Sequence, residues 1–378
     1  MSTRMPPEEG IGNYVSNLSK KLTGQGHEVI VVTRGGFKPE VKRFNGLLVY
    51  RLPFVMAYPF HVGIHGIFVR SLFDALSGSL DVIHVHSPLP PSISSDVPIV
   101  TTFHTPQLTD SMLTEDKDIH QVLHKLLGFL AYRNEMSQIS CSQVVTTVSK
   151  GVASELTRYY GVNNKEMILL GNAASDVFLE AGRNASQLRD EETILFIGSL
   201  ESRKGLLELV ESMKFVVKSV PKARLVIIGK GPLLSKVLSR VRALGLERNV
   251  ELRGFISRKE TIDWCLRASV FALPSHYEGL PTALLEAMAC RLPIVATAVR
   301  GNVEIVEHEV TGLLVPPKAP KHLAEAITCL LEDSDLRNKF GKNGRRLVEA
   351  HFTWDRVTER AMAAYRSAIS KKNSHRDK

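Results

Sequence analysis

The sequence predicts an α/β protein of two domains, each built on a mostly parallel sheet with helices on its faces. Three observations carry that prediction. Strand-like and helix-like patterns alternate almost throughout the chain. A turn-rich, acidic interruption at 176–191, containing Glu180, Gly182, Asn184, Ser186, Asp190 and Glu191 with Glu192 at its edge, divides the alternation into two series. A length of 378 residues and a hydrophobic fraction of 44% suit two packed cores rather than one, or a disordered chain.

The first series opens with a helix at 12–24 and a strand at 27–33. Strands follow at 47–52, 82–85, 99–103, 143–148 and 167–170, with helices at 67–76, 117–139 and 150–160. The second series gives strands at 193–197, 224–228, 250–252, 270–274 and 294–297. Helices at 205–219, 232–244, 259–267 and 281–290 separate them, with shorter helical stretches near 302–307 and 320–331. The stretch 355–370 is amphipathic through Val357, Ala361, Ala364, Tyr365 and Ile369. The expected domains are 1–176 and 177–354, with 355–378 a terminal helix and tail. Two such domains place ligand sites at the carboxyl ends of their strands, in the cleft where they face each other.

A formal charge of +9 and a pI near 9.3 imply an anionic partner. The basic residues are interspersed with acids and no nucleic-acid motif occurs, which favours a diphosphate nucleotide or an anionic membrane surface over nucleic acid. Lys20, Lys21, Lys38, Lys42, Arg43 and Arg51 lie near Phe54, Tyr58, Phe60 and Phe68, a combination suited to such a membrane. For any one of these residues taken singly, solvated lysines and core aromatics are the stronger explanation. The cysteines, Cys141, Cys265, Cys290 and Cys329, form no C-x-x-C pair and no disulfide-like cadence, as expected of a cytoplasmic protein. Cys141 and Cys290 read as packing residues. No uninterrupted apolar run of 18 residues occurs, so no spanning helix is expected. No signal peptide is expected either, because Met1-Ser2-Thr3-Arg4-Met5 passes directly into Pro6-Pro7-Glu8-Glu9.

The densest chemistry lies in Pro274-Ser275-His276-Tyr277-Glu278-Gly279-Leu280-Pro281-Thr282-Ala283-Leu284-Leu285-Glu286, two carboxylates astride a strand-to-helix turn. Pro281 fits the first helical turn, where its missing N–H costs nothing. The free amides there suit a diphosphate, and Gly279 allows close backbone approach. Glu286 falls one turn beyond Thr282 on the same face, about 6 Å along the axis, whereas Glu278 stays in the loop. One acid can then take ribose hydroxyls and the other the hydroxyls of a sugar. Helix-dipole preference accounts for either acid alone, but not for the whole string.

Glu278 through Glu286, with Ala287-Met288-Ala289 and Pro293-Ile294-Val295-Ala296-Thr297, resembles the E-x7-E signature of the retaining glycosyltransferases of family 4. Further matches run along the chain in Asp81-Val82-Ile83-His84-Val85-His86, Thr102-Phe103-His104, Val148-Ser149, Asn172 with Asp176 and Phe178, and Phe196-Ile197-Gly198. Lys204-Gly205, Ile227-Ile228-Gly229-Lys230-Gly231-Pro232, Gly254-Phe255, Gly301 and Gly312-Leu313-Leu314-Val315 continue the series. The resemblance implies the GT-B fold: two Rossmann-like domains facing across a cleft, with a last helix that crosses back to the N-terminal domain. Phe352-Thr353-Trp354 and Tyr365 match the aromatic pattern of that crossing. The family usually has an opening hydrophobic strand before the glycine-rich loop, and here only a stub precedes Gly10.

The same resemblance implies roles for particular residues. Glu278 holds the transferred sugar and Glu286 anchors the ribose. Lys204 binds the diphosphate, its usual arginine partner being replaced by Ser199, for which the adjacent Arg203 is a substitute. A solvated turn is an equal alternative for Arg203. Gly229 and Gly231 line the nucleotide side, and Gly254 and Phe255 resemble the segment that reads the base, uracil or guanine. Gly279 and Leu280 offer backbone amides to the departing diphosphate. On the acceptor side, Gly10, Gly12 and Asn13 open the first helix, Gly12 also serving the donor phosphate. His104, at the carboxyl end of a strand, matches the histidine that contacts the transferred sugar. His86 borders the acceptor pocket, whereas His84 reads as packing. Arg291 stands where a glycine is usual, which should alter only a helix C-cap.

His84 and His86 lack further ligands, and Asp333-Ser334-Asp335 reads as a helix-capping turn rather than a metal motif. No metal and no other cofactor is therefore expected. The function implied is transfer of a hexose-type sugar, with retention, from a UDP- or GDP-sugar to a lipid-linked or glycan acceptor, at the cytoplasmic membrane face or away from it. The alternatives are a sugar-nucleotide epimerase on a related plan and a non-catalytic glycosyltransferase-like subunit.

Overall fold

The computed structural model describes residues 10–44, 46–55, 61–88, 90–109, 120–183 and 192–376. Met1–Asn172 with Trp354–Lys378 form one compact unit, and Ala173–Thr353 form the other. The nine residues ahead of Gly10, with Tyr58, Phe60 and the stretch 184–191, lie outside the described residues.

The N-terminal unit begins with helix Gly10–Gly24, which buries Tyr14, Val15, Leu18 and Leu22 at helical spacing. Its first sheet is three-stranded, in the order β1-β3-β2. β1 (Ile30–Arg34) runs parallel to β3 (Leu47–Leu52), and β2 (Glu40–Phe44) is antiparallel to it. β2 escapes the sequence reading because its residues are mostly exposed and three of its five are charged, so no apolar period marks it. The second sheet is parallel, in the order β4 (Ile83–Ser87), β5 (Ile99–Phe103), β6 (Val144–Thr147) and β7 (Ile168–Leu169). One core spans both sheets: Val32 and Leu52 pack with Ile83, Val85 and Ile99, and with Val69 and Phe73 of helix His61–Leu76. The register pairs Ser87 with Phe103 and Phe103 with Thr147, so three strands end together.

The terminal helix Trp354–Arg376 packs on helix Gly10–Gly24 and on β5, β6 and β7, which is the crossing the resemblance implies. Its contact face is Val357, Ala361, Ala364, Tyr365 and Ala368, mostly small residues that let the helix lie close.

The second unit carries one six-stranded parallel sheet, in the order β10-β9-β8-β11-β12-β13. These are β8 (Thr193–Ile197), β9 (Arg224–Ile228), β10 (Val250–Gly254), β11 (Val270–Leu273), β12 (Ile294–Thr297) and β13 (Gly312–Val315). The four central strands are buried on both faces and read as continuous apolar runs for that reason. Parallel sheets in both units, accompanied in the first by a three-stranded mixed sheet, give the two Rossmann-like units of a GT-B architecture. The sequence reading of 176–191 as an interruption is corrected in its first half. Asp176–Arg183 is a helix that buries Phe178, and its Gly182 lies so close to the Ala289 carbonyl that a Cβ would collide with it. Asp333 caps helix Ser334–His351 through the Leu336 N–H, the role expected of it. Pro281 is the N-cap of helix Thr282–Ala289 rather than a residue of its first turn. Arg291 takes the left-handed conformation, φ 61°, that explains a glycine at such a C-cap. Among the described residues, no helix is long and apolar enough to cross a membrane.

Gly205 joins two loops of this unit. Its φ is +64°, and a Cβ there would occupy the position of the Pro274 carbonyl oxygen. Gly205→Ala should therefore lower stability by at least about 2 kcal/mol, combining left-handed strain with overpacking. Urea unfolding of the full chain checks this against Gly36→Ala, a site where a Cβ meets nothing.

Candidate active site

Four loops follow the carboxyl ends of β8, β9, β10 and β11, and backbone hydrogen bonds stitch them together. Gly198 N–H donates to Ile228 O at 3.0 Å, Leu200 N–H to Lys230 O at 2.9 Å, and Gly229 N–H to Gly254 O at 2.8 Å. His276 N–H donates to Arg203 O at 2.7 Å. Gly229 and Gly231 press against the backbone of Gly198 and Leu200, with no room for a side chain. Lys230 lies 5.4 Å from the ring centroid of Phe255, which is 62% exposed and leaves an aromatic face to solvent. The edge thus collects Arg203, Lys204, Gly229, Gly231, Gly254, Phe255, Glu278, Gly279 and Leu280, all anticipated from the sequence.

At its centre, Lys204 Nζ donates to Glu278 Oε1 at 2.6 Å. Glu278 is only 5% exposed and also accepts from Ser275 Oγ at 2.7 Å. Arg203 lies 3.9 Å from its other oxygen and bonds Glu201 at 3.0 Å. A buried carboxylate survives only with such partners. The turn Ser202–Lys204 supplies the cations and the loop 274–279 the acid, so two segments far apart in sequence form one charged constellation. Behind it, the Thr297 hydroxyl donates to Ser275 O, and Asn302 Nδ2 donates to Thr297 O at 2.9 Å. Gly301 packs on the carbonyls of Glu278 and Gly279. Ser275 and Thr297 lie inside the quoted motifs but were given no role there, and Asn302 was not singled out in the sequence.

Glu286, on helix Thr282–Ala289, takes a separate partner. Arg258 donates to its Oε1 at 2.8 Å, and the Arg258 guanidinium stands 5.1 Å from the ring centroid of Phe178. Burial raises the Glu286 carboxyl from 4.5 to about 6, against the pull of Arg258. Arg258 was also missed. Its signal was the capping box Ser257-Arg258-Lys259-Glu260, which starts helix Arg258–Arg267 at this residue.

In the N-terminal unit, His86 Nδ1 and His104 Nε2 lie 3.2 Å apart, one donating and the other accepting. Tyr14 packs edge-on against His104, 4.8 Å between centroids, and also against Trp354 at 5.0 Å. Burial lowers His104 to about 3 and holds His86 well below its usual value, so this pair is neutral. His84 is occupied by Tyr365 Oη at 2.7 Å and Thr102 Oγ1 at 2.6 Å, a packing role. Gly10, Gly12 and Asn13 lie on helix Gly10–Gly24.

The loops after β4 and β5 are held from below by helix His120–Cys141. Asn134 and Gln138 both donate to Pro90 O, at 2.9 and 2.5 Å. Glu135, 1% exposed, accepts from the Gln107 N–H at 3.1 Å, from Ser87 Oγ at 3.5 Å and from the Tyr160 hydroxyl. It therefore anchors the turn that leaves His104. Burial outweighs these donors and raises its carboxyl from 4.5 to about 7. Among the described residues, no cluster of three or more His, Cys, Asp or Glu side chains could hold a metal.

Residues 180–347 match the family model "Glycosyl transferases group 1", and residues 9–174 match "Glycosyltransferase Family 4". An uncharacterised glycosyltransferase of Methanocaldococcus jannaschii is 27% identical over 95% of each chain. The D-inositol 3-phosphate glycosyltransferase of Kineococcus radiotolerans is 26% identical, over 97% of this chain and 92% of its own. Among solved structures, sucrose-phosphate synthase from Thermosynechococcus elongatus has the same fold, with a TM-score of 0.77 at 23% identity over 96% of this chain and 94% of that one.

Glu135 gives these observations a pH signature. Its folded-state pKa is raised, so its protonation favours the folded state: its contribution is full below about 4.5 and is lost as pH rises towards about 7. Glu135→Gln removes that slope. The urea midpoint of the unchanged protein should fall relative to that of the variant between about pH 5 and pH 7.5, and parallel curves would remove the assignment.

Proposed function

We propose that this chain, a glycosyltransferase of the GT-B fold, moves a hexose-type sugar from a UDP- or GDP-sugar to a glycan or lipid-linked acceptor with retention of configuration. One observation carries the reading: a lysine and a buried glutamate share a hydrogen bond at the carboxyl edge of a parallel sheet, with a second glutamate eight residues on. As a glycosidic bond to a diphosphate breaks, negative charge grows on the leaving oxygen. Lys204, with Arg203 beside it and the amides near Gly279 and Leu280, is where that charge is stabilised. Glu278, already hydrogen-bonded to Lys204 and Ser275, offers a fixed acceptor to sugar hydroxyls. Glu286 takes the ribose.

No protein nucleophile is invoked, and the leaving phosphate takes the acceptor's proton. Cations and amides supply the charge stabilisation, so the proposal is metal-independent. For the N-terminal unit, His104 is the candidate for contact with the transferred sugar, and Gly10, Gly12, Asn13 and His86 are the acceptor-side candidates; this part rests on the sequence resemblance. The epimerase alternative has no acid–base pair here to support it.

Contact with an anionic membrane also belongs to the proposal. Phe37, next to Lys38 in the sequence, and Phe68 are 85% and 38% exposed. Against it, Lys21 is paired with Asp355, and Lys42 and Arg51 with Glu40. Sedimentation with anionic vesicles should show pelleting that high salt abolishes, and no pelleting at low salt would end this part.

The division of labour between the acids predicts opposite effects. Glu278→Gln frees Lys204 for phosphate, so it should leave free UDP or GDP affinity intact or tighter while lowering donor turnover by about 100-fold, the scale of one strong charge-stabilising contact. Glu286→Ala should weaken free nucleotide instead. Titration calorimetry and donor-hydrolysis rates check both, and the same assay run with a chelator should lose nothing. Equal loss of nucleotide affinity in the two variants would refute the division.

A further inference from the structure

We infer that Arg258 is a positioning residue for donor recognition: it holds and aims the Glu286 carboxylate that receives the ribose. The inference rests on the reading that Glu286 anchors the nucleotide. Arg258 is the first residue of helix Arg258–Arg267, fixed there by the capping box of Ser257 and Glu260. From that point its guanidinium reaches Glu286 on a neighbouring helix at 2.8 Å and lies against Phe178 of a third. Phe178 is 1% exposed and rigidly packed, so the guanidinium has a firm surface behind it. Arginine suits this geometry because its planar group stacks on the ring while its N–H edge meets the carboxylate.

The reason for such a device is the position of Glu286. Its side chain is 16% exposed, so a lone carboxylate there would take up a proton and lose acceptor capacity for hydroxyls. The other elements packed on helix Thr282–Ala289 do not supply a counter-charge. Strands β11 and β12 carry no titratable side chain. Arg345, from helix Ser334–His351, is engaged with Ala289 O, Leu179 O and Glu349. Asp176, Glu180 and Arg183 of helix Asp176–Arg183 are not among the groups that shift Glu286, and Arg258 is. With Arg258 present the Glu286 carboxyl lies at about 6, ionised at neutral pH; without it, burial alone sets the value, and higher.

The experiment is calorimetric titration of the full chain with UDP and with GDP at about pH 5.5, 7 and 8.5. Wild type, Arg258→Met, Arg258→Lys and Glu286→Gln are compared. Affinities are expressed relative to Glu286→Gln at the same pH, which cancels the titration of the nucleotide's own phosphate. Arg258→Met should weaken binding by about tenfold at pH 7, the scale of one hydrogen bond to a charged group, and recover towards wild type at pH 8.5 as Glu286 ionises. Arg258→Lys should fall between the two. A deficit in Arg258→Met that is constant with pH, or no deficit at pH 7, would overturn the inference. Failure of wild type to bind either nucleotide would instead overturn the reading of Glu286 on which it rests.

Discussion

The hydrogen bond between Lys204 and Glu278 is the interaction around which the second unit is organised. Glu278 is almost wholly buried, and a carboxylate without partners there carries a desolvation penalty of several kcal/mol. The pair holds only if the turn after β8 and the loop after β11 meet. Gly205 beneath the Pro274 carbonyl and the His276 N–H on Arg203 O make them meet. The parallel sheet places both loops on one edge, and the Ser275–Thr297–Asn302 chain fixes the acid from the far side. Packing, backbone and electrostatics converge on one geometry.

The same economy appears in the other unit with different chemistry. There the carboxyl ends of β4 and β5 carry neutral, buried histidines rather than charges. A carboxylate below them, Glu135, gathers the turns. The second unit's edge gathers Arg203, Lys204 and Glu278, and in the first unit Glu135 serves architecture. A neutral His104 can donate or accept one hydrogen bond to a hydroxyl, which suits a sugar better than a phosphate.

Much of this was legible in the sequence because parallel strands buried on both faces leave plain apolar runs, and loops between them have fixed places at the sheet edge. Glu278 and Glu286 were singled out from the turn they flank and Lys204 from the resemblance, and the structure adds that Lys204 and Glu278 are bound to each other. What was missed falls into three kinds. β2 has no buried face and so no period to read. Arg258 and Glu135 act through partners 28 residues away in sequence, and such pairing leaves no local pattern that names the partner. The helix Asp176–Arg183 was hidden by its composition, because Gly182 signals a break but is there to let Ala289's carbonyl approach.

The central claim is that this edge recognises a nucleoside diphosphate through Lys204. The most direct measurement compares the affinities of the diphosphate and the monophosphate of one nucleoside, UDP against UMP or GDP against GMP, in the unchanged protein and in Lys204→Met. The account predicts that the unchanged protein prefers the diphosphate by about tenfold or more, and that Lys204→Met binds both alike at nearly the monophosphate's affinity. A preference for the diphosphate that persists in Lys204→Met would contradict it.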